Sequence, residues 1–409
     1  MRMIVSFSAL FLSVALLQFS SGGVGPLDAL SGLALDFSTE QIGLLGSAHF
    51  VGFFIGCWWA PRLMGTVGQS RTFAAFTAAG AIGLIAHMII IDPYAWALMR
   101  IATGMCIAGC YTVIESWIQA KATNENRGRT LGAYRFIDMG ASFLAQMAIS
   151  VLEPASYISY NILAIICCLA LLPLTLTRTP PPETPNAPRI HPLRTIRRLP
   201  LSTAAVIVAA LSGASFRMVG PIYGIEVGLS VDQIAWFLAA FVLGGAIAQY
   251  PVGWLADKFD RRWVMIGLSI ATVISCGAMV ATHNLGTIGV LLTAVFFGLT
   301  SFPIYSVAAA HAHDFTESQE RIELSASLMF WFAAGAIAAP LLASALISSF
   351  GPAALFIMIA IGHLILIIFA VIRMRARPTQ SLRTRFIYVP RTSFIIGHLL
   401  KRDRLKNGR

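Results

Sequence analysis

Charged residues are scarce in this sequence. They make up 11% of its 409 residues, whereas 57% are hydrophobic and the mean hydropathy is +0.76. Soluble domains usually carry about 25% charged residues. The composition therefore excludes an ordinary soluble protein and indicates a chain that lies in a bilayer. Its length allows about a dozen spans of roughly 20–25 residues with short connections.

Cysteine is also rare, and its six positions (57, 106, 110, 167, 168 and 276) all lie in apolar segments. Such positions indicate small hydrophobic side chains and no disulfide framework or zinc site. The phosphate-binding pattern G-x-x-x-x-G-K-[ST] is missing as well, so ATP-driven transport is not expected. Because no nucleophile–base pair or metal cluster has the spacing of a hydrolase, an enzyme, a cofactor and a bound metal are all disfavoured.

The sequence does contain a long series of apolar segments. The first continues to about Leu35 without a convincing signal-peptide cleavage site, so it is interpreted as a span. Turn signals and charges predict an all-α membrane protein with twelve transmembrane helices in two pseudo-symmetric six-helix bundles. The predicted spans lie near residues 4–34, 39–64, 72–90, 94–119, 128–150, 154–176, 201–227, 231–256, 263–282, 287–312, 322–349 and 352–374.

These spans predict four parts of the chain. They are an N-terminal bundle (1–177), a linker rich in proline and arginine (178–200), a C-terminal bundle (201–374) and a basic tail (375–409). Of the 29 Lys and Arg, 26 fall at the N-terminus, in alternate loops, in the linker and in the tail. The positive-inside rule then predicts an inner (plasma) membrane protein whose two termini and linker are cytoplasmic.

This topology explains the net charge of +11, so no nucleic-acid partner is expected. The tail from Arg373 to Arg409 holds 11 Lys and Arg with apolar residues between them. We expect it to lie along the anionic inner leaflet of the lipid bilayer or to bind a partner. The protein itself is expected to be a monomer.

The two halves of the chain are repeats of one another. The second span of each half aligns without gaps at an offset of 192, and the fourth and fifth spans align more weakly at an offset of 194. The matched pairs include Gln41 with Gln233, Gly52 with Gly244, Leu63 with Leu255, Tyr111 with Tyr305 and Arg127 with Arg321. Two parallel six-helix halves are typical of transporters whose substrate site lies between the halves near the midplane.

One loop carries a recognisable motif, GWLADKFDRR (253–262). It resembles the signature loop G-x-L-A-D-R/K-x-G-R-R of the major facilitator superfamily. The resemblance implies a latch that holds the cytoplasmic side closed, in which the aspartate faces a helix N-terminus and the arginines bridge to neighbouring carboxylates. The latch residues would be Gly253, Asp257, Lys258, Arg261 and Arg262.

The matching loop of the first half departs from that signature. Pro61 replaces the leading glycine, Gly65 the aspartate and Thr66 the basic residue. The first-half latch is therefore expected to be weakened or to be rebuilt through Arg62 and Arg71.

Four further stretches resemble the YcaD-like branch of the superfamily: 60–73, 115–134, 249–262 and 301–314. Within this branch Glu115, His311 and His313 are typical residues. The stretch RIATGMCIAG (100–109) resembles the fourth-span pattern R-x-x-x-G that is associated with proton coupling. The fifth span lacks the paired glycines of drug antiporters, which argues against that class.

Arg135 and Asp138 lie within the fifth span, three residues apart and on one helix face. They could simply neutralise each other and tune helix packing. Alternatively they face a water-filled cavity, because charged residues inside spans usually mark a transport pathway. Asp138 would then bind a proton or cation, and Arg135 would hold or release it.

Other candidate cavity residues also have two interpretations. Arg217 lies in the middle of the seventh span and could meet Asp138 or an anionic substrate. His49 could titrate near neutrality or serve packing, and Arg100 could be functional or a snorkelling anchor.

Three side chains near the cytoplasmic face are candidate functional residues in addition to the latch. Glu115 is favoured as a gating residue over a substrate contact. His311 and His313 are either functional or interfacial, since a metal site would lack a third ligand. Asp28, in the outer part of the first span, is a further candidate that fits either a functional or a structural role.

The leading hypothesis is a proton-coupled secondary transporter of a small organic, possibly anionic, solute that works by alternating access. Its partners would be that solute and protons. Export of amphipathic drug-like compounds is the alternative within the class. A non-transporting membrane sensor or assembly factor on the same fold is the alternative outside it.

Overall fold

The computed structural model describes residues 2–122, 127–176, 188–281, 286–317, 320–376, 386 and 393–395. These ranges contain helices and no strand. The fifteen helices are α1 (Arg2–Ala34), α2 (Thr39–Val67), α3 (Gln69–Ala86), α4 (Pro93–Lys121), α5 (Arg127–Ala148), α6 (Tyr157–Leu169), α7 (Leu171–Thr175), α8 (Pro192–Arg198), α9 (Pro200–Glu226), α10 (Val231–Lys258), α11 (Arg261–Ala281), α12 (Gly286–Ser301), α13 (Ile304–Asp314), α14 (Arg321–Phe350) and α15 (Ala354–Ala376).

Together the helices form the twelve predicted spans, and the predicted fold class is confirmed. Within the described chain, ten continuous segments are long and apolar enough to cross a membrane by themselves. The third and fifth spans, α3 and α5, fall short of that apolarity. In α5 the cause is the charge of Arg127, Arg129, Arg135 and Asp138. The chain is a multi-pass membrane protein.

Proline divides two of the spans, which the sequence analysis did not anticipate. The sixth span breaks at Ala170 into α6 and α7, and the tenth breaks at Phe302 and Pro303 into α12 and α13. Pro173 and Pro303 lack the N–H that would continue the helical hydrogen bonds, and their rings crowd the preceding turn. The second break leaves Phe302 at the centre of the molecule.

The internal repeat is visible as two equivalent helix crossings. A Cβ atom on Gly52 of α2 would lie 2.0 Å from the carbonyl oxygen of Ile101 in α4. A Cβ on Gly244 of α10 would lie 2.1 Å from that of Val295 in α12. Both crossings therefore require a residue without a side chain, as small residues allow close helix packing in membranes. The facing glycines, 104 and 298, follow the same rule.

The N-terminal caps of α2 and α10 repeat too. The side chain of Ser38 accepts a hydrogen bond from the N–H of Gln41, whose side chain returns one to the Ser38 backbone. Ser230 and Gln233 form the same capping box 192 residues later.

The two bundles, α1–α7 and α9–α15, pack against each other mainly through α2 with α14, α5 with α10 and α1 with α9, and α2 also contacts α9. Helix α8 marks one end of the molecule, here called the linker end. Near the opposite end, Gly43 of α2 lies directly against Ser344 and Pro340 of α14. The bundles are thus tightly joined at the end away from α8.

Helix α8 lies within the predicted linker and docks on the second bundle. Glu320 accepts hydrogen bonds from Arg198 at 2.7 Å and from Arg194 at 2.9 Å. The hydrogen bond from Arg198 is the main cause that holds the pKa of Glu320 below its usual value, so this contact stays ionic at neutral pH. The beginning of the predicted linker, from residue 178 to 187, lies outside the described residues.

Replacing Gly52 by alanine tests the glycine crossing. We expect Gly52→Ala to force α2 away from α4 and to destabilise the protein by about 1–3 kcal/mol, the usual cost of overpacking. Gly65→Ala on the same helix is the matched control, because no atom lies within 4 Å of its added Cβ. Thermal unfolding in detergent measures both. Equal unfolding midpoints for the two variants would contradict the crossing.

Candidate functional site

A central cavity lies between the two bundles. The empty space between its walls is about 1250 Å³, part of it open to solvent, which is enough for a metabolite-sized solute. Its walls come from α1, α2, α4 and α5 of the first bundle and from α9, α10, α14 and the α12–α13 break of the second. The polar and charged side chains on these walls are Gln18, Ser21, His49, Tyr111, Arg135, Asp138, Ser142, Gln146, Arg217 and Ser301.

Asp138 is the carboxylate on this cavity wall. One of its oxygens lies 3.1 Å from Nη1 of Arg135, and the other accepts a hydrogen bond from the hydroxyl of Tyr111. The amide of Gln18 on α1 lies 2.8 Å from the same hydroxyl. Asp138 is only 8% exposed. The two charges therefore pair with each other and face the cavity at once, so both interpretations of the pair describe its geometry.

Glu115 lies on the linker-end side of this pair and is connected to it. Its side chain is buried and accepts a hydrogen bond of 2.9 Å from the hydroxyl of Tyr134. The guanidinium of Arg135 lies 5.5 Å from the centre of the Tyr134 ring, within the range of a cation–π contact. Asp138, Arg135, Tyr134 and Glu115 thus form one continuous polar path through the first bundle.

Two basic side chains come to the same cavity from other directions. His49 of α2 is buried on the wall, and Arg217 of α9 faces it from the second bundle. The guanidinium carbon of Arg217 lies 6.0 Å from the centre of the Phe302 ring, at the break between α12 and α13. The ion-pair partner that the structure gives Asp138 is Arg135 of its own helix.

Asp28 and Arg100 form a second buried ion pair that sequence reasoning did not join. Oδ2 of Asp28 lies 3.2 Å from Nε of Arg100 and 3.6 Å from Nε2 of His87, and Oδ1 accepts a 2.8 Å hydrogen bond from Tyr160. Asp28 and Arg100 are 2% and 1% exposed. Arg100 is therefore held inside the bundle and is not an anchor at the membrane surface.

Arg100 also reaches towards the cavity from this pair. Its Nη2 lies 3.8 Å from the sulfur of Met218, a cavity-wall residue of α9. The Asp28–Arg100 pair consequently lies where the two bundles meet, near the end away from α8 where they are tightly joined (the closed end). The only sequence signal for it was that each residue is a charge inside a span.

The repeat shows how the two halves differ at the cavity. At the offset of 194, Asp138 corresponds to Phe332 and Tyr111 to Tyr305. Tyr111 bonds to Asp138, whereas the ring of Tyr305 packs edge-on against Phe332 with centres 5.5 Å apart. At the offset of 192, His49 corresponds to Phe241. The second bundle keeps the geometry and replaces the charge with aromatic rings.

The arginines of the signature loop form ion pairs and hydrogen bonds within the second bundle. Arg261 is 1% exposed, lies 2.6 Å from Oδ1 of Asp314 and donates a 2.7 Å hydrogen bond to the carbonyl of Ala310. Arg262 pairs with Asp260 at 2.8 Å. These contacts fasten the junction of α10 and α11 to α13 at the linker end.

The remaining latch candidates have local contacts. Asp257 lies 3.6 Å from Nη2 of Arg261 and accepts a hydrogen bond from the backbone N–H of Phe386. Lys258 lies 4.7 Å from the centre of the Trp254 ring. Phe386 also covers Gly253, where an added Cβ would meet its ring at 2.8 Å.

Arg62, in the departing loop of the first half, stacks on Trp58 of its own helix and donates to that residue's carbonyl. His311 packs against Phe315, and Nε2 of His313 lies 3.3 Å from the hydroxyl of Ser325. Within the described residues neither histidine belongs to a cluster that could hold a metal ion.

Comparison with known sequences gives one family. The sequence profile of the Major Facilitator Superfamily matches residues 10–223 and 205–405. The chain is 26% identical over 330 residues to the uncharacterised MFS-type transporter YcaD of Salmonella heidelberg (strain SL476), covering 79% of this chain and 84% of that protein. An uncharacterised MFS-type transporter of Enterobacter sp. (strain 638) is 26% identical with the same coverage. The resemblance to the YcaD-like branch is confirmed.

Solved structures show the same fold at low identity. The nucleoside transporter NupG superposes with a TM-score of 0.73 at 14% identity, covering 90% of this chain and 99% of that one. A bacterial homologue of the human lysosomal transporter Spinster gives 0.74 at 16% identity, covering 91% and 97%. A D-xylose–proton symporter gives 0.69 at 13% identity, covering 93% and 99%.

Removing one partner tests the buried Asp28–Arg100 pair. Asp28→Asn leaves the Arg100 charge buried without its carboxylate, which typically costs about 3–5 kcal/mol. We therefore expect a clearly lower unfolding midpoint in detergent than for Asp36→Asn, the same change at an exposed loop position. Asp28→Leu combined with Arg100→Leu should recover part of the loss. If Asp28→Asn and Asp36→Asn unfold alike, the pair does not stabilise the fold.

Proposed function

The chain belongs to the Major Facilitator Superfamily, and from this premise we propose that it is a proton-coupled transporter of a small organic anion. Membership of this family makes it a membrane transporter and not an enzyme. The proposal adds the class of solute, the coupling to protons and the residues that carry both. Its mechanism is alternating access, in which the two bundles rock around a site between them.

The observation that carries the proposal is the Asp138–Arg135 pair on the cavity wall. A charge inside a membrane is costly unless it is paired or faces water. This pair satisfies both conditions, and Tyr111 and Tyr134 supply hydroxyl and ring contacts on either side of it. A carboxylate in such a place can accept a proton from cavity water, and its partner then loses its counter-ion.

Protonation of Asp138 would convert the cavity into an anion site. Arg135 and Arg217 line it from opposite bundles, and His49 lies on the same wall. With Asp138 neutral, the two guanidinium groups are the dominant charges, and guanidinium groups bind carboxylates through charge-assisted hydrogen bonds. A proton and an anion would thus bind together, because each raises the affinity for the other.

The direction of the molecule follows from its charges. The N-terminus, the linker and the tail carry most Lys and Arg, so the linker end is proposed to face the cytoplasm of the inner membrane. The structure has the opposite end tightly joined, so the linker end is the side on which the cavity would exchange with the cytoplasm once that end opens. The protein is proposed to work as a monomer, with both bundles contributing to one site.

The aromatic side chains of the cavity favour a solute that also has an apolar part. Five phenylalanine rings line it: Phe50, Phe53, Phe241, Phe302 and Phe332. Rings on the walls are compatible with the alternative of an amphipathic drug-like compound. The two hypotheses differ in charge, since an amphipathic cation would be repelled by Arg217 once Asp138 is protonated.

Proton flux in proteoliposomes tests the coupling residue. We expect flux that depends on one of a small panel of solutes: lactate, succinate, glutamate, uridine, xylose and ethidium. In Asp138→Asn this flux should fall to the level of empty liposomes, because the titrating carboxyl is gone. Ser142→Ala, one turn further along α5 on the same cavity wall, is the matched control and should keep it. Solute-dependent flux that survives in Asp138→Asn would exclude Asp138 as the coupling group.

Binding of the active solute tests the anion site separately. Arg217→Gln removes a charge-assisted hydrogen bond worth about 1.5–3 kcal/mol, which corresponds to a roughly 10- to 100-fold loss of affinity. Arg217→Lys keeps the charge and should lose less. Thermal shift titration of the purified protein measures both, since a ligand stabilises the state that it binds. Tighter binding of ethidium in Arg217→Gln, with no acidic ligand in wild type, would favour the amphipathic alternative.

A further inference from the structure

Three residues of the C-terminal tail are buried inside the molecule. Ser393, Phe394 and Ile395 are 0%, 2% and 1% exposed, although they belong to a stretch expected to lie along the membrane surface. The rest of the tail lies outside the described residues, apart from its start at 375–376 and Phe386. Burial this complete requires that the segment enter the space between helices.

Phe394 lies between the two bundles. Its ring packs edge-on against Phe54 of α2 at 5.7 Å, and Phe54 packs in the same way against Phe330 of α14 at 5.5 Å. The thiol of Cys57, one turn beyond Phe54 and itself fully buried, lies beside the backbone of Phe394. The tail therefore packs against α2 at the linker end, beside the contact of α2 with α14.

Ser393 connects the tail to the polar path of the first bundle. Its hydroxyl donates a hydrogen bond to Oε2 of Glu115, while Tyr134 occupies Oε1 of the same carboxyl. Glu115 is 1% exposed in this arrangement. The tail thus caps the end of the path that begins at Asp138 and cuts it off from solvent at the linker end.

Phe386 attaches the same tail to the second bundle. Its backbone N–H donates to Asp257 at 2.5 Å and its ring covers Gly253 of the signature loop. Residues Phe386, Ser393 and Phe394, which lie within a stretch of nine residues, therefore contact α10 of the second bundle and α4 and α2 of the first. A segment bound to both bundles resists their separation at this end.

We propose that Ser393–Ile395 is a plug that closes the linker-end mouth of the central cavity and caps Glu115. The plug must withdraw before solute or protons can pass between the cavity and the linker-end compartment. It is an autoinhibitory contact made by the chain's own tail. Its effect on flux rests on the proposed function, whereas the seal itself does not.

Alkylation of Cys57 measures the seal without any transport assay. The purified full-length protein is treated with N-ethylmaleimide, and each cysteine is followed by peptide mass spectrometry. The same protein unfolded in SDS gives the fully reactive reference rate, whereas Cys106 and Cys110 are buried within the first bundle and report unfolding. We expect Cys57 to be protected in wild type. In Phe394→Asp, which places a charge among aromatic rings and near Glu115, Cys57 should react faster by an order of magnitude or more.

Conservative changes provide the matched controls. Phe394→Leu keeps an apolar side chain and should leave Cys57 protected. Ser393→Glu, which sets a second carboxylate against Glu115, should expose Cys57 as Phe394→Asp does. If Phe394→Asp also exposes Cys106 and Cys110, it has unfolded the bundle, and Ser393→Glu then decides.

Two results would overturn the plug. One is alkylation of Cys57 in folded wild type at the rate measured for the SDS-unfolded protein. The other is continued protection of Cys57 in a folded Phe394→Asp and in Ser393→Glu. Where Cys57 becomes exposed but no panel solute gains flux, the plug stands and the proposed function is the part that fails.

Discussion

A charge can remain inside a membrane only when it is paired or faces water, and the first bundle is organised around this constraint. It holds two ion pairs with different surroundings. Asp28 and Arg100 are enclosed by packed side chains near the closed end, whereas Asp138 and Arg135 are paired on the wall of the central cavity. The same interaction therefore lies in packed surroundings in one place and on a cavity wall in the other, where we propose that it meets protons and solute.

The two halves of the chain share their helix geometry but differ in the side chains on the cavity walls. Gly52 and Gly244 make the same close backbone approach in the two halves, so α2–α4 and α10–α12 form equivalent walls. The side chains on those walls differ, since Phe332 occupies the position in the second half that corresponds to Asp138 in the first. One wall carries the titratable groups, and the other contributes aromatic rings together with Arg217.

The fold was predictable because span length, loop charge and the 192-residue offset are local or periodic signals. The break at Pro303 could also have been predicted, since proline cannot continue a helix. It was not, because residues 287–312 have the length of one uninterrupted span. Among site residues, Arg135 and Asp138 could be paired because they are three residues apart on one helix. Asp28 and Arg100 could not, because their meeting depends on how α1 and α4 rotate against each other. The burial of Phe394 was unpredictable, since an apolar residue in a basic tail fits a membrane surface equally well.

The central claim is that Asp138 changes protonation while it faces the cavity. Infrared difference spectroscopy of the protein in lipid, recorded as the pH is lowered, measures this directly through the stretching band of the protonated carboxyl. We predict a band that is absent from Asp138→Asn and retained in Asp28→Asn. Of the two aspartates, Asp138 lies on the cavity wall, whereas Asp28 is enclosed by packed side chains. Spectra that are identical for wild type and Asp138→Asn would contradict it, because the pair would then be a fixed packing element.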